Sequence, residues 1–288
     1  MPANSRPPAS RWLVSTEWLA CHLDAPDVVV VDGSFYLATT NRDARAEYLG
    51  GHIPGAVFFD IDAIKNHSSD LPHMLPSAQQ FAADVGRLGI GDGQTTVIYD
   101  GLGLYGAARV WWTFQTFGAQ QVFVLDGGMP QWKAENRPIE TGAVSRQPRV
   151  FTARLNHAMV ASVADVQRAL ASGRTQVVDA RSSGRFSGEA PEPRPGLRPG
   201  HMPGAINVPY QDVLDGGRLA TPDKITAAFR SAGVDLDKPI ITTCGSGVTA
   251  AILTFALDAL GKSRTSVYDG SWSEWGASTD LPVVTGAK

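Results

Sequence analysis

The chain carries the same punctuation twice, and that restricts its fold more than any other feature. Val28-Val29-Val30-Val31-Asp32 returns as Val177-Val178-Asp179. Gly51-His52-Ile53-Pro54-Gly55-Ala56 returns as Gly200-His201-Met202-Pro203-Gly204-Ala205, and Asp126-Gly127 with Trp132 returns as Asp269-Gly270 with Trp275. The displacements are 147 residues from Asp32 to Asp179, 149 from His52 to His201 and 143 from Asp126 to Asp269. Markers that recur in one order at a near-constant distance indicate a duplicated structural unit.

A fourth pair of markers places the chemistry. Thr96-Val97-Ile98-Tyr99 and Ile240-Ile241-Thr242-Thr243 read as short buried strands, each running into a glycine-spaced loop and then an amphipathic helix. The loops are Asp100-Gly101-Leu102-Gly103 and Cys244-Gly245-Ser246-Gly247. Duplication therefore supplies two scaffolds, and a thiol stands on only one of them. Short apolar strands alternate with helical stretches such as Ser15 to Leu23, Ser162 to Ser172 and Val248 to Leu260. That alternation predicts an α/β fold: two tandem domains, each a parallel sheet flanked by helices on both faces. The expected boundaries are residues 10–135 for a domain without the thiol and 155–288 for the domain with it. A linker is expected over 136–154, where prolines and charges replace periodicity.

Composition removes several functional classes. With 43% hydrophobic and 18% charged residues the chain can bury a substantial core, which excludes disorder. Its 25 basic and 28 acidic residues leave a net charge of −3, unlike the basic excess of a nucleic-acid binder, so any anion site must be local. No apolar run approaches the roughly 18 residues of a membrane span. Met1 to Arg11 lacks the apolar stretch of a secretory signal and reads as a frayed terminus of a cytoplasmic protein. Cys21 and Cys244 match no zinc or disulfide spacing. Cys21 falls in the first predicted helix, where packing or an idle surface position suffices.

Cys244 ends a strand and precedes a helix, the position where open α/β sheets bind ligands. A helix N-terminus offers unpaired N–H groups and about half a positive charge, and Gly245 and Gly247 let the loop curl so that several amides face one sulfur. An ordinary cysteine is only about 3% thiolate at neutral pH. The loop has the elements needed to hold the anion.

Cys244-Gly245-Ser246-Gly247-Val248-Thr249-Ala250, with Tyr268-Asp269-Gly270-Ser271-Trp272 and Glu274-Trp275, closely resembles the two-domain rhodanese-like sulfurtransferases, and most of all their 3-mercaptopyruvate branch. That branch reads Cys-Gly-Ser-Gly-Val-Thr where the thiosulfate branch reads Cys-Arg-Lys-Gly-Val-Thr. The likeness runs from about Leu13 to Val284 and implies that the first half is catalytically inactive. It further implies that Cys244 takes sulfur from 3-mercaptopyruvate as a persulfide and releases pyruvate. The sulfur would pass to a thiol acceptor such as thioredoxin, or to cyanide, with no metal or organic cofactor. Gly245, Gly247, Val248 and Thr249 would cradle the sulfur.

Between Asp179 and His201, four arginines meet only Glu189 and Glu192. An arginine fork pairs with carboxylate two bonds at a time, so two of them suffice to clamp a 2-oxo acid. The resemblance assigns the clamp to Arg185 and Arg194, and leaves Arg181 and Arg198 as loop charges or ion-pair partners. It also implies a proton relay of Asp62, His73 and Ser246, with interdomain structural hydrogen bonding as the competing role. His52 and His201 occur in both halves and so are read as structural. Asp100 is expected to hold its own loop or to bond toward Arg109, and Tyr105, Trp111, Trp112 and Phe114 to fill the first domain's core. The rivals are a thiosulfate sulfurtransferase, a non-catalytic rhodanese-like binding or redox-sensing module, and a Cys-x5-Arg phosphatase. The phosphatase reading lacks its arginine, since the sixth residue past Cys244 is Ala250.

Overall fold

The computed structural model describes residues 9–286. Five strands form the first sheet: β1 (Leu13–Val14), β2 (Val28–Asp32), β3 (Val57–Phe58), β4 (Thr95–Tyr99) and β5 (Val122–Leu125). Their spatial order is β1-β5-β4-β2-β3, with every neighbouring pair parallel. The second sheet contains β6 (Val160–Ala161), β7 (Gln176–Asp179), β8 (Ile206–Asn207), β11 (Ile240–Thr243) and β12 (Thr265–Tyr268). Its order, β6-β12-β11-β7-β8, is the same arrangement, again all parallel. A small hairpin, β9 (Leu214–Asp215) and β10 (Arg218–Leu219), belongs to the second half alone. The central strands are buried on both faces, as β2 is along its whole length, which is why they read as unbroken β-branched runs.

Helices α1 (Thr16–His22), α2 (Ala44–Gly50), α3 (Ala78–Arg87), α4 (Gly106–Thr116) and α5 (Gly128–Ala134) accompany the first sheet. Helices α6 (Val163–Ser172), α7 (Ser183–Ser187), α8 (Pro222–Ser231), α9 (Ala250–Ala259) and α10 (Ser271–Trp275) accompany the second. Several begin where a side-chain oxygen can accept an orphan amide: Ser15, Ser77 and Ser162 cap α1, α3 and α6, the last with Asp165 completing a capping box. Helix α9 starts at Ala250, two residues later than the apolar pattern suggests, because Val248 and Thr249 spend their carbonyls in tighter turns to Ala251 and Ile252.

The two halves share one core. Helices α4 and α9 face each other across the interface, with Trp111 edge-on to Phe255 at 4.7 Å. Trp111, Trp112 and Phe114 are buried as expected, Phe114 among Phe59, Phe81 and Phe151, but Trp111 packs across the interface and not within the first domain alone. Residues 136–154 are not a free tether. Glu140 bridges His52, Arg149 donates its N–H to Gly86, and Phe151 enters the aromatic cluster of Phe81 and Phe114. The segment is a strap laid on the first half, and the second half repeats the device where Val284 bridges His201. His52 and His201 have matching roles: each stacks on a ring, of Tyr48 or Phe186, while Nδ1 meets that same residue's carbonyl at 2.8 Å. Cys21 is exposed on α1. Most of the expected N-terminal tail, residues 1–8, lies outside the described residues.

Candidate active site

In both sheets the strand order reverses between the second and fourth strands, so the loops after β4 and β11 open at the switch point where ligands collect. The loop after β11 is Cys244 to Thr249. Its carbonyls at Cys244, Gly245 and Gly247 are turned outward onto donors. Cys244 accepts the Trp272 N–H at 2.9 Å, and Gly245 accepts the Ser273 N–H and hydroxyl at 2.9 and 2.7 Å. Gly247 accepts from Arg109 Nη1 at 3.4 Å, and the Ser246 carbonyl lies 3.3 Å from His73 Nδ1. The amides show the complementary pattern. No N–H from Gly245 through Ala250 has a hydrogen-bond acceptor among the described residues, although Gly245 to Val248 are buried. Buried amides without acceptors are rare, and a run of them beside a buried thiol has the donors that an anion nest requires.

The first half shows the corresponding loop with a carboxylate among its amides. Asp100 is fully buried, and its carboxylate accepts the N–H groups of Leu102, Gly103, Tyr105 and Ala107 at 2.6 to 2.8 Å. Burial pushes this carboxyl's pKa up, and the four amides pull against that. Asp100 thus holds its own loop. It does not engage Arg109, which points into the other half.

Asp62, His73 and Ser246 meet. His73 Nδ1 lies 3.1 Å from Ser246 Oγ and Nε2 lies 3.0 Å from Asp62 Oδ1. The neutral tautomer consistent with both contacts donates Nε2–H to Asp62 and accepts the Ser246 hydroxyl proton at Nδ1. His73 and Ser246 are buried, whereas the Asp62 side chain is 62% exposed, so the line runs from the thiol pocket to solvent. The His73 hydrogen bond holds the Asp62 carboxyl below its ordinary pKa.

Cys244 opens into a cleft of about 160 Å³ between the halves, lined by Gly245, Ser246, Val248, Thr249, Arg185 and Arg194 among others. Gly247 does not line it. A Cβ there would come within 2.7 Å of Arg109 Nη1, and its φ of +78° suits glycine, so its place is conformational. A second cavity of about 190 Å³, reaching Asp62 and His73, shares Phe35, Leu37, Pro193 and Arg194 with the first. The larger groove of about 1180 Å³ elsewhere does not contain the sulfur.

The two candidate clamp arginines differ. Arg185 gives Nε and Nη2 to Glu192, leaving Nη1 uncommitted, while its tip sits above Gly245. Arg194 has no hydrogen-bond or ion-pair partner among the described residues. Burial draws its pKa down, against the pull of nearby Cys244 and Asp62. Arg181 is locked between Asp179 and Glu192 and stacks on Trp272, and Arg198 holds the carbonyls of Trp275, Gly276 and Leu281. Both are structural.

Four features escape a residue-by-residue reading. Tyr105 is not simply first-domain core. It faces the thiol cleft edge-on to Tyr210, and burial together with Tyr210 and Cys244 raises its pKa. Glu192 fixes Arg185, and Ser271 and Ser273 fix the loop's peptide orientations. Arg109, buried on α4, reaches His73, Gly247 and Asp269. The only advance signal for the serines is that they follow Asp269-Gly270, one of the repeated markers.

Two α/β units with a cysteine on the strand-to-helix loop of the second define a tandem rhodanese. The rhodanese-like domain model matches residues 15–135 and again 162–278, and the chain belongs to that family. It is 45% identical over 276 residues to the 3-mercaptopyruvate sulfurtransferase of Escherichia coli K12, covering 96% of this chain and 98% of that one. It is also 45% identical to the human protein of that name, over 93% of each. A bovine thiosulfate sulfurtransferase is 42% identical over 92% of each chain. The crystal structure of the Escherichia coli 3-mercaptopyruvate enzyme superposes with a TM-score of 0.84, covering 91% of this chain and 99% of that one.

Proposed function

We propose that this protein is a 3-mercaptopyruvate sulfurtransferase working through a Cys244 persulfide. Relatives of both donor classes are similarly close, so overall identity does not choose between them. The choice rests on Ser246: the loop position that would carry a cation for dianionic thiosulfate instead carries a buried hydroxyl 3.1 Å from His73 Nδ1.

The Cys244 thiolate attacks the donor sulfur. An S–S bond forms, the donor's C–S bond breaks, and its electron pair leaves on carbon as the pyruvate enolate. That carbon takes one proton, balanced by the one the donor thiol gives up as the persulfide is left an anion and passed by way of Ser246 and His73 beside Asp62, and pyruvate departs. Arg194 and the uncommitted Nη1 of Arg185 hold the donor carboxylate. The free amides of the 245–250 loop then carry the persulfide anion. In the second step an acceptor thiolate or cyanide attacks the outer sulfur, and the Cys244 thiolate is the leaving group. Thioredoxin is the kind of acceptor we envisage. A reducing, cytoplasmic setting suits two free cysteines, one of which must stay reduced to react. Among the described residues, no helix is long and apolar enough to cross a membrane.

Steady-state rates with cyanide as acceptor test the reading by comparing mercaptopyruvate, thiosulfate and an aryl phosphate. Mercaptopyruvate should give the largest kcat/KM, with a 32-dalton adduct on Cys244 after donor treatment. A preference for thiosulfate, or no adduct, would overturn it.

A further inference from the structure

We infer that the buried ion pair between Arg109 and Asp269 positions His73 for its contact with Ser246, so that the inactive half helps set catalytic geometry. The inference rests on the relay reading above. Arg109 Nη2 donates to the His73 carbonyl, and Asp269 Oδ2 accepts the Leu75 N–H at 2.7 Å. The peptide groups on both sides of Met74 are thereby gripped by the two members of one pair, which meet at 2.7 Å. That contact lies outside hydrogen-bond alignment, since Asp269 Oδ1 has no hydrogen bond.

His73 needs such a grip. Its φ is +61°, a left-handed conformation that a residue with a Cβ adopts only when its surroundings impose it. Arg109 is itself stacked on Trp112 at 4.5 Å, and its Nη1 touches the Gly247 carbonyl of the thiol loop. One guanidinium therefore touches both the histidine arm and the loop that must meet it. Asp269 opens the turn whose Ser271, Trp272 and Ser273 orient that loop's peptides.

The repeat supplies an internal control. Asp126, the counterpart of Asp269, is also held across the interface, by Arg218 of the β9–β10 hairpin. That pair has side-chain exposures of 38% and 22%, against 3% and 4% for Arg109 and Asp269, and neither the Arg218 nor the Asp126 side chain hydrogen-bonds a backbone group among the described residues. Docking two halves thus tolerates a half-exposed pair. The buried one that grips a strained histidine occurs only on the side with the thiol.

The test is a mutant cycle on the intact chain between Arg109→Lys and His73→Asn. Lysine keeps the charge but has no planar fork with which to span the three oxygens. Arg109→Lys should lower kcat for mercaptopyruvate by about tenfold or more, with KM inside about twofold. In that background His73→Asn should cost less than about twofold, against about tenfold or more in the native chain. An equal cost of His73→Asn in both backgrounds would overturn the positioning role and leave the relay standing. No cost in the native chain would instead sink the relay reading, and this inference with it. If Arg109→Lys does not fold, the cycle is run on Arg109→Gln/Asp269→Asn, which removes both buried charges together, with the same outcomes deciding.

Discussion

The contrast between Arg185 and Arg194 gives a prediction whose size follows from their surroundings. Arg194 lines both cavities and has no partner among the described residues, so Arg194→Gln removes a ligand contact and little else. A hydrogen bond to a charged group contributes about 1.5–3 kcal/mol. At about 1.4 kcal/mol per tenfold, KM for mercaptopyruvate should rise about 10- to 100-fold. The change is in uniform binding, so kcat should hold within about threefold. Arg185→Gln is different, because it also strips one partner from Glu192, whose side chain is only 3% exposed and keeps Arg181 at 2.8 Å. That loss costs about 1–3 kcal/mol of stability, or about 2–5 °C in Tm for a chain of this size. The assays are steady-state kinetics with mercaptopyruvate and thiosulfate and a thermal melt on each variant. Arg194→Gln lowering kcat at constant KM, or Arg185→Gln leaving Tm untouched, would refute the division between a free clamp and a braced one.

Cys244→Ser should abolish sulfur transfer from every donor, and retention of even about a tenth of the rate in the cyanide assay would remove the nucleophile assignment. Ser246→Ala should lower kcat for mercaptopyruvate by about 10- to 100-fold and leave thiosulfate, whose leaving group needs no proton at carbon, nearly unchanged; equal losses would count against a relay. The Asp62 carboxyl is held below its ordinary range chiefly by the His73 hydrogen bond. Its contribution to stability is therefore present above the unfolded value of about 3.9 and is lost as pH falls through the lower folded value. Urea titrations should give a native-minus-Asp62→Asn difference that is flat above about pH 5 and shrinks below about pH 4. Asp100→Ala orphans four amides, two of them in the buried residues Gly103 and Ala107, and should destabilise the chain by about 2–4 kcal/mol, with mercaptopyruvate still preferred to thiosulfate.

The legible part of the fold was whatever local pattern controls. Strand β11 falls where its apolar run predicts, and Ser15 and Ser162 start their helices as N-caps should. The sequence also located the thiol loop, and the family resemblance picked out Arg185 and Arg194, which line the thiol cleft, and Asp62, His73 and Ser246, which meet. Contacts made by docking one half on the other were not legible. Nothing near Tyr105 or Arg109 in the chain says that each looks across an interface at residues about 140 positions away. Nor does any spacing reveal that Glu192, in a proline-rich strap, turns inward to occupy part of Arg185. The outward set of the Cys244 loop carbonyls depends on α10, whose residues lie 28 positions further on.

The two loops can be compared atom by atom. An aspartate oxygen stands two bonds past Cβ, as does the outer sulfur of a cysteine persulfide. With Asp100 the amides of Leu102, Gly103, Tyr105 and Ala107 converge on that point, and in the second half the corresponding positions are Ser246, Gly247, Thr249 and Ala251. Three of those four still have free N–H groups, the fourth having turned to Val248. The first half thus holds a carboxylate at the point where the proposed cycle of the second half would hold the outer sulfur of a persulfide. A carboxylate cannot leave its carbon, whereas a persulfide gives up its outer atom to any thiolate that reaches it. The substitution of one side chain separates a structural loop from a catalytic one, and the retained half contributes the histidine arm and the buried arginine that complete the other's site.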